Sequence, residues 1–401
     1  MLNITDNEKE QQLFPLFRLG FRPFFLGGAV FAVISMVLWG MLLSGSITLP
    51  SQLPPAMWHA HEMLFGFAGA IILGFLLTAV QNWTGYPGLK STKLAILFSL
   101  WLVARIAMFV LPPDLFWLTM ILELSWMPLA ALALGIAVVH VKQWKNLFFV
   151  PLLLAMTLIN GMILFGFKSY DYIMSLQAIW SMLFLVFFII AVMGGRVIPF
   201  FTSKGTNTQK VQPIAVIDKL SLAPLLLLAI VNWFVFLGEA LNPILALLAL
   251  IAGVANLIKL LRWKPQITLS VPLLWSLHLS YLILSLGLIF YAIALVLPRF
   301  NAITMIHLTA IGGFGGVILA MISRVSLGHT GRTLNPSKWM SIAFIAVIIS
   351  AIARAIFPLF MPNLSLMTYW ISILFWSIAY TLFVIIYAKM LSTARLDKRP
   401  G

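Results

Sequence analysis

The sequence predicts an all-α, polytopic membrane protein of about twelve transmembrane helices. Three observations carry that reading. Of 401 residues, 62% are hydrophobic and only 9% charged, and mean hydropathy is +1.07, values that belong to membrane proteins. Stretches of roughly 20 apolar residues, the length that crosses a bilayer, recur twelve times. The basic residues are distributed with one consistent polarity around those stretches.

The expected spans cover about 24–44, 58–81, 94–111, 115–140, 147–167, 172–194, 220–238, 243–261, 271–297, 302–323, 339–358 and 365–388. Together they form a single integral membrane domain over 1–401, because the longest loop, about 195–219, leaves no room for a soluble one. With the N-terminus inside, 21 of the 25 Lys and Arg residues fall in inner segments. Lys168 and Arg299 lie outside, and Arg105 and Arg354 fall within spans. That asymmetry is the positive-inside signal and puts both termini in the cytoplasm. It also accounts for the net charge of +15 without nucleic acid as a partner. The first ten residues are polar and acidic, unlike a cleaved signal peptide.

The second and tenth spans share a pattern. A shift of 246 residues puts His61 on His307, Gly66 on Gly312, Gly69 on Gly315 and Thr84-Gly85 on Thr330-Gly331. The spans that follow carry Arg105 and Arg354, three residues out of that register. A weaker echo sets Met193-x-x-Arg196-Val197 of the sixth span against Met321-x-x-Arg324-Val325 of the tenth. With that echo the chain reads as three four-helix units, a layout resembling the haem–copper oxidase large subunit.

Ionisable side chains within a bilayer are expensive and usually functional. Topology places seven of them in the outer half of the membrane: His59, His61, Glu62, Arg105, Glu123, His307 and Arg354. Such groups are expected to find one another or a ligand. Haem needs axial imidazoles and brings two propionates that suit arginine, so His61, His307, Arg105 and Arg354 form one candidate cofactor set. His59 shares a helix face with Glu62 and Met63, a candidate copper set, while His61 faces the other way with Phe65. The chain has no cysteine, which excludes thiolate clusters, disulfides and covalently attached haem. Nearer the cytoplasm lie His278, flanked by Trp275 and Tyr281, and His329 in a Gly-His-Thr-Gly-Arg turn. His140 reads as a solvated helix end, Asn160 and Gln177 as makers of interhelical hydrogen bonds. Arg18 and Arg22, in the aromatic segment before the first span, read as anchors to anionic lipid.

Several segments resemble the NnrS family. They are Leu19–Phe25, Trp58-His-Ala-His-Glu-Met-Leu-Phe-Gly-Phe67, Gly74–Val80 with Asn82–Gly85, Gly194–Thr202, Leu274-Trp-x-x-His278, the His307 helix, and Arg324-Val-x-Leu-Gly-His-Thr-Gly-Arg332. The resemblance implies a bacterial inner-membrane protein of twelve helices that contains haem, b-type and non-covalent, and copper. It implies a role in nitric oxide metabolism and protection from nitrosative stress, with nitric oxide or a related small molecule as partner. Its histidine positions carry over to His59, His61, His278, His307 and His329, and Glu62 then becomes the candidate catalytic proton donor or acceptor. The competing reading is a multi-helix transporter whose outer polar groups form a translocation site.

Overall fold

In the computed structural model, residues 11–397 and Arg399 are described. The polar N-terminal decapeptide lies outside them. Among the described residues all regular structure is helical, and twelve helices are long and apolar enough to cross a membrane. They are α1 (Phe21–Leu43), α2 (Pro55–Thr84), α3 (Ser91–Val110), α4 (Pro113–His140), α5 (Trp144–Ser169) and α6 (Tyr172–Thr206). There follow α7 (Ala215–Phe234), α8 (Gly238–Arg262), α9 (Pro272–Val296), α10 (Ala302–His329), α11 (Lys338–Phe360) and α12 (Pro362–Ser392). The protein is therefore a multi-pass membrane protein. In a bilayer every backbone group must be paired internally, and helices do this within one segment.

Local chemistry sets many of the ends. Proline stands in the first turn of α2 and α9, where its missing N–H is not needed. Gly85 closes α2 with φ of 67°, a left-handed conformation open to glycine. The helix α6 is longer than hydropathy alone suggests. It continues through Arg196 and Pro199 to Thr206, which shortens the expected 195–219 loop. Polar residues at a helix end cost little once they lie beyond the hydrocarbon.

The chain clusters into two compact units: residues 1–182 with 325–333 and 384–401, and residues 183–324 with 334–383. Within the first unit, α2 widens into a π-helix over Glu62–Gly69. Within the second, α10 does so over Leu308–Gly315. The two stretches are equal in length, each starts directly after a histidine, and they stand in the 246-residue register of the sequence repeat. A π-helix is rare and is found mostly at functional places, so its recurrence here ties the two halves together more firmly than matched glycines do.

The neighbours match too. A side chain at Gly66 would collide with Phe31 of α1 and Arg105 of α3; one at Gly312 would collide with Ile283 of α9 and Ala351 of α11. Gly69 packs under Trp126 of α4, and Gly315 under Trp376 of α12. Each widened turn also exposes a carbonyl that an aromatic donor takes up. The Trp101 indole donates to Gly66 O at 3.1 Å, and the Tyr380 hydroxyl to Gly315 O at 2.8 Å. Helices α1–α4 and α9–α12 are thus two copies of one four-helix frame. The middle helices carry no π stretch among the described residues, so the third unit rests on the Met-x-x-Arg-Val echo alone.

Small residues let these helices approach closely. A methyl group added at Gly313 would sit 2.6 Å from Leu284 Cα, whereas at Gly161 the nearest atom is 3.8 Å away. Gly313→Ala should therefore destabilise the purified protein by about 1–3 kcal/mol through overpacking, and Gly161→Ala should not. Equal melting temperatures for the two variants would contradict this packing.

Candidate functional site

The π turn of the first unit holds a fully buried ionic cluster. Glu62 on α2, Arg105 on α3, Glu123 on α4 and Asn160 on α5 converge on His61. Arg105 Nη1 donates to Glu62 Oε1 at 2.8 Å, and Nη2 donates to Glu123 Oε1. His61 Nδ1 lies 2.8 Å from Glu62 Oε1, and Nε2 lies 2.9 Å from Asn160 Oδ1. Asn160 Nδ2 in turn points to Glu123 Oε2 at 3.5 Å. The His61 ring stacks on Phe65 with centroids 5.0 Å apart.

Two carboxyl groups, one guanidinium and one imidazole meet at a single buried point. Glu62 Oε2 has no hydrogen-bond partner and is buried, an orphan that normally costs about 1–3 kcal/mol or more for a charged group. His61, Glu62 and Glu123 each offer a ligand atom within 4.8 Å of the others, a donor set of metal-binding type. The seven outer ionisable groups were expected to meet. Four of them do, and Asn160, expected to make interhelical hydrogen bonds, completes the set with bonds to His61 and Glu123.

The second unit fills the same frame with hydrocarbon. The 246-residue shift puts Leu308 at the place of Glu62 and Ala351 at the place of Arg105. Ile373 stands three residues before Trp376, as Glu123 stands three before Trp126. Leu308 and Ala351 belong to one apolar cluster with Ile283 and Ala355. The frame therefore folds without charges at these positions.

This comparison revises the expected arginine pair. Arg105 has two carboxylate partners from the protein itself, which take both its terminal nitrogens. Arg354 is not its counterpart. One turn beyond Ala351, its guanidinium lies half-buried 4.1 Å from the Tyr369 ring, and its Nη1 has no hydrogen-bond partner. The three-residue offset in the sequence is real in space, because one helical turn places the cation outside the cluster position.

The histidines divide by environment. His59 does point away from His61, and it stacks on Trp39 of α1 with centroids 4.6 Å apart. Glu62, expected beside His59, instead turns toward His61 and Arg105; the attraction of the buried guanidinium outweighs simple helix-face counting. His307, half-buried, has Nδ1 2.5 Å from Ile303 O. His278, buried on α9, has Nδ1 2.9 Å from Leu274 O, and its Nε2 lies 3.3 Å from Thr202 Oγ1 on α6. His329 belongs to the first unit, against Phe21 at 5.5 Å, with its carbonyl accepting from Arg395 Nη1. At that end Arg22 is buried and donates to Leu391 O and Thr393 O at the end of α12, and Arg18 donates to Leu13 O and Gln11 O. The two arginines expected on lipid headgroups are engaged by backbone carbonyls. Beyond the last span, the Arg395 fork holds the Asp397 carboxyl well below the usual carboxylate range.

Twelve membrane helices, a duplicated four-helix frame and a buried His–Glu cluster define a multi-pass membrane protein with residues that could hold a metal ion in its interior. The NnrS protein family model matches residues 15–395, nearly the whole chain, and the protein belongs to that family. No curated protein matches the chain.

The cluster's energetics give a direct test. Arg105→Ala alone leaves two buried carboxylates uncompensated and should destabilise the protein by about 3–5 kcal/mol. The triple variant Glu62→Leu/Arg105→Ala/Glu123→Ile copies the second unit and should recover most of that loss. A triple variant as unstable as Arg105→Ala would show that the charges hold the fold.

Proposed function

We propose that the protein is a haem- and copper-containing protein of the bacterial inner membrane that binds or converts nitric oxide and protects the cell during nitrosative stress. Family membership supports the link to nitric oxide. The observation that carries the metal chemistry is His278. Its Nδ1 is committed to the carbonyl of its own preceding turn, the outer-shell bond that fixes tautomer and ring orientation in metal-ligating histidines. Nε2 is the atom left to coordinate, and a metal there would take the place of its contact with Thr202 Oγ1 at 3.3 Å, a hydroxyl that Ile198 O also holds at 2.8 Å.

His307 shows the same Nδ1 arrangement with Ile303 O. His278 and His307 are accordingly the imidazoles we assign to haem, each to a separate group, because the α9–α10 register sets them roughly 16 Å apart along the helix axis. His61 fits that role poorly, since both its nitrogens face oxygen acceptors. Copper we assign to the remaining family histidines, His59 foremost with Met63 one turn on, because imidazole and thioether suit copper where no thiolate exists. His329 is the further candidate in the first unit.

When bound, haem iron and copper supply an open coordination position for a small molecule. The chain's own part is to hold and orient. Arg105 pins the Glu62 and Glu123 carboxylates, Asn160 and Glu62 fix the His61 ring, and Glu62, with one oxygen unpaired, is the group we assign to giving or taking protons. Buried carboxylates of this kind serve as general acids and bases when their partners are fixed.

A transporter remains the second reading, and the same buried cluster is what favours it. A simple transporter is colourless. Purified protein should instead show a Soret band that His278→Ala removes or shifts and His61→Ala leaves in place. Copper content should fall in His59→Ala while haem persists. Full-strength, unshifted haem spectra in His278→Ala and His307→Ala alike would end the haem assignment, and unchanged copper in His59→Ala would end the copper one.

A further inference from the structure

Arg18 and Arg22, expected on anionic lipid, hold backbone carbonyls instead. The second unit offers other cations for that partner. The link from α6 to α7 and the link from α8 to α9 lie on one side of the membrane, the side where basic residues gather. Lys204, Lys210, Lys219 and Lys264 stand on these links and the helix ends beside them, all exposed. Asp218 is the one acidic residue between Arg196 and Val231. Its Oδ1 lies 3.0 Å from the ammonium of Lys259, a buried lysine, so the local carboxylate is engaged elsewhere.

The four lysines are held at the level of the headgroups. Helix α6 is 35 residues long, more than a bilayer requires, yet it does not project as a stalk. A methyl group added at Gly205 would meet Leu274 Cδ1 at 2.8 Å. Leu274 is in the first turn of α9, so α6 ends level with the start of α9. Arg262 Nη2 donates to Gln212 O at 3.1 Å, which ties the α6–α7 link to the end of α8. The Asp218–Lys259 pair then joins the first turn of α7 to the last turn of α8. Each tie keeps the link along the membrane boundary.

Apolar side chains are interleaved with the lysines. Ile214, Val216 and Leu220 are exposed, Val216 by 65%. Facing water, such a surface is unfavourable. At a lipid interface the apolar groups enter the acyl region, while lysine stems lie along it and carry their ammonium groups to the phosphates. We propose that Lys204, Lys210, Lys219 and Lys264 bind the phosphate groups of anionic phospholipid in the adjacent leaflet, with Ile214, Val216 and Leu220 against its acyl chains. The site is independent of haem and copper.

The test uses full-length purified protein, with dioleoylphosphatidylglycerol as the probe and dioleoylphosphatidylcholine as its zwitterionic control. Native mass spectrometry gives the apparent Kd. Lys204→Gln/Lys210→Gln/Lys219→Gln should weaken phosphatidylglycerol binding on the order of a hundredfold, about fivefold per lysine. Lys93→Gln/Lys142→Gln/Lys145→Gln removes as many exposed lysines from the same side of the first unit and should leave that binding nearly unchanged. Equal losses in the two triple variants, or no preference for phosphatidylglycerol in the natural protein, would overturn the site. A second readout needs no lysine change. The chain has no cysteine, so Gln209→Cys carries a single fluorescent label. In nanodiscs containing phosphatidylglycerol that label should be shielded from acrylamide, and added salt should expose it. Quenching as strong as in phosphatidylcholine nanodiscs would mean that lipid does not cover this link, and the proposal fails.

Discussion

The fork of Arg105 between Glu62 and Glu123 is the constraint on which the first unit turns. It joins α2, α3 and α4 at one buried point, and through His61 and Asn160 it reaches α5. An ion pair without water is weak evidence for stability, since desolvating its members offsets much of their attraction. The second unit makes that general statement concrete. There Leu308 and Ala351 stand at the places of Glu62 and Arg105 and pack in an apolar cluster with Ile283 and Ala355, and Ile373 stands three residues before Trp376 as Glu123 does before Trp126. What apolar packing achieves in one copy, the other copy does with groups that cost more to bury. That asymmetry is the reason to read the cluster as functional.

The two π stretches give the duplicated frame its shape. Each widens a helix directly after a histidine, sits beneath a tryptophan from the fourth helix of its unit, and has a carbonyl taken by an aromatic donor. Close approach at Gly66 and Gly312 makes this possible, because neither position has room for a side chain. The histidine at the start of each widened turn then meets different chemistry. His61 is enclosed by oxygen acceptors, whereas His307 bonds through Nδ1 to its own helix. One frame therefore presents two imidazoles in two different environments.

Much of this was legible in the sequence. Hydropathy anticipates the twelve helices, and the 246-residue register anticipates the π stretches without naming them. The charge on seven outer residues pointed to a cluster, and four of them form one. What escaped was direction. Helix-face counting put Glu62 beside His59, but the pull of Arg105 and the widened turn bring it to His61. Arg354 looked like a partner of Arg105 because its neighbours matched, yet a three-residue offset is nearly a full turn and moves a side chain out of its site. Asn160, an amide in an otherwise apolar helix, makes the interhelical hydrogen bonds expected of it, to His61 and Glu123.

The account's central claim is that the first unit keeps its charges for function while its frame does not need them. The most direct measurement is the nitric oxide resistance of cells carrying Glu62→Leu/Arg105→Ala/Glu123→Ile, with membrane levels of the protein measured alongside. The account predicts wild-type levels of inserted protein and cells as sensitive to nitric oxide as those lacking it. Full protection by this apolar variant would contradict it.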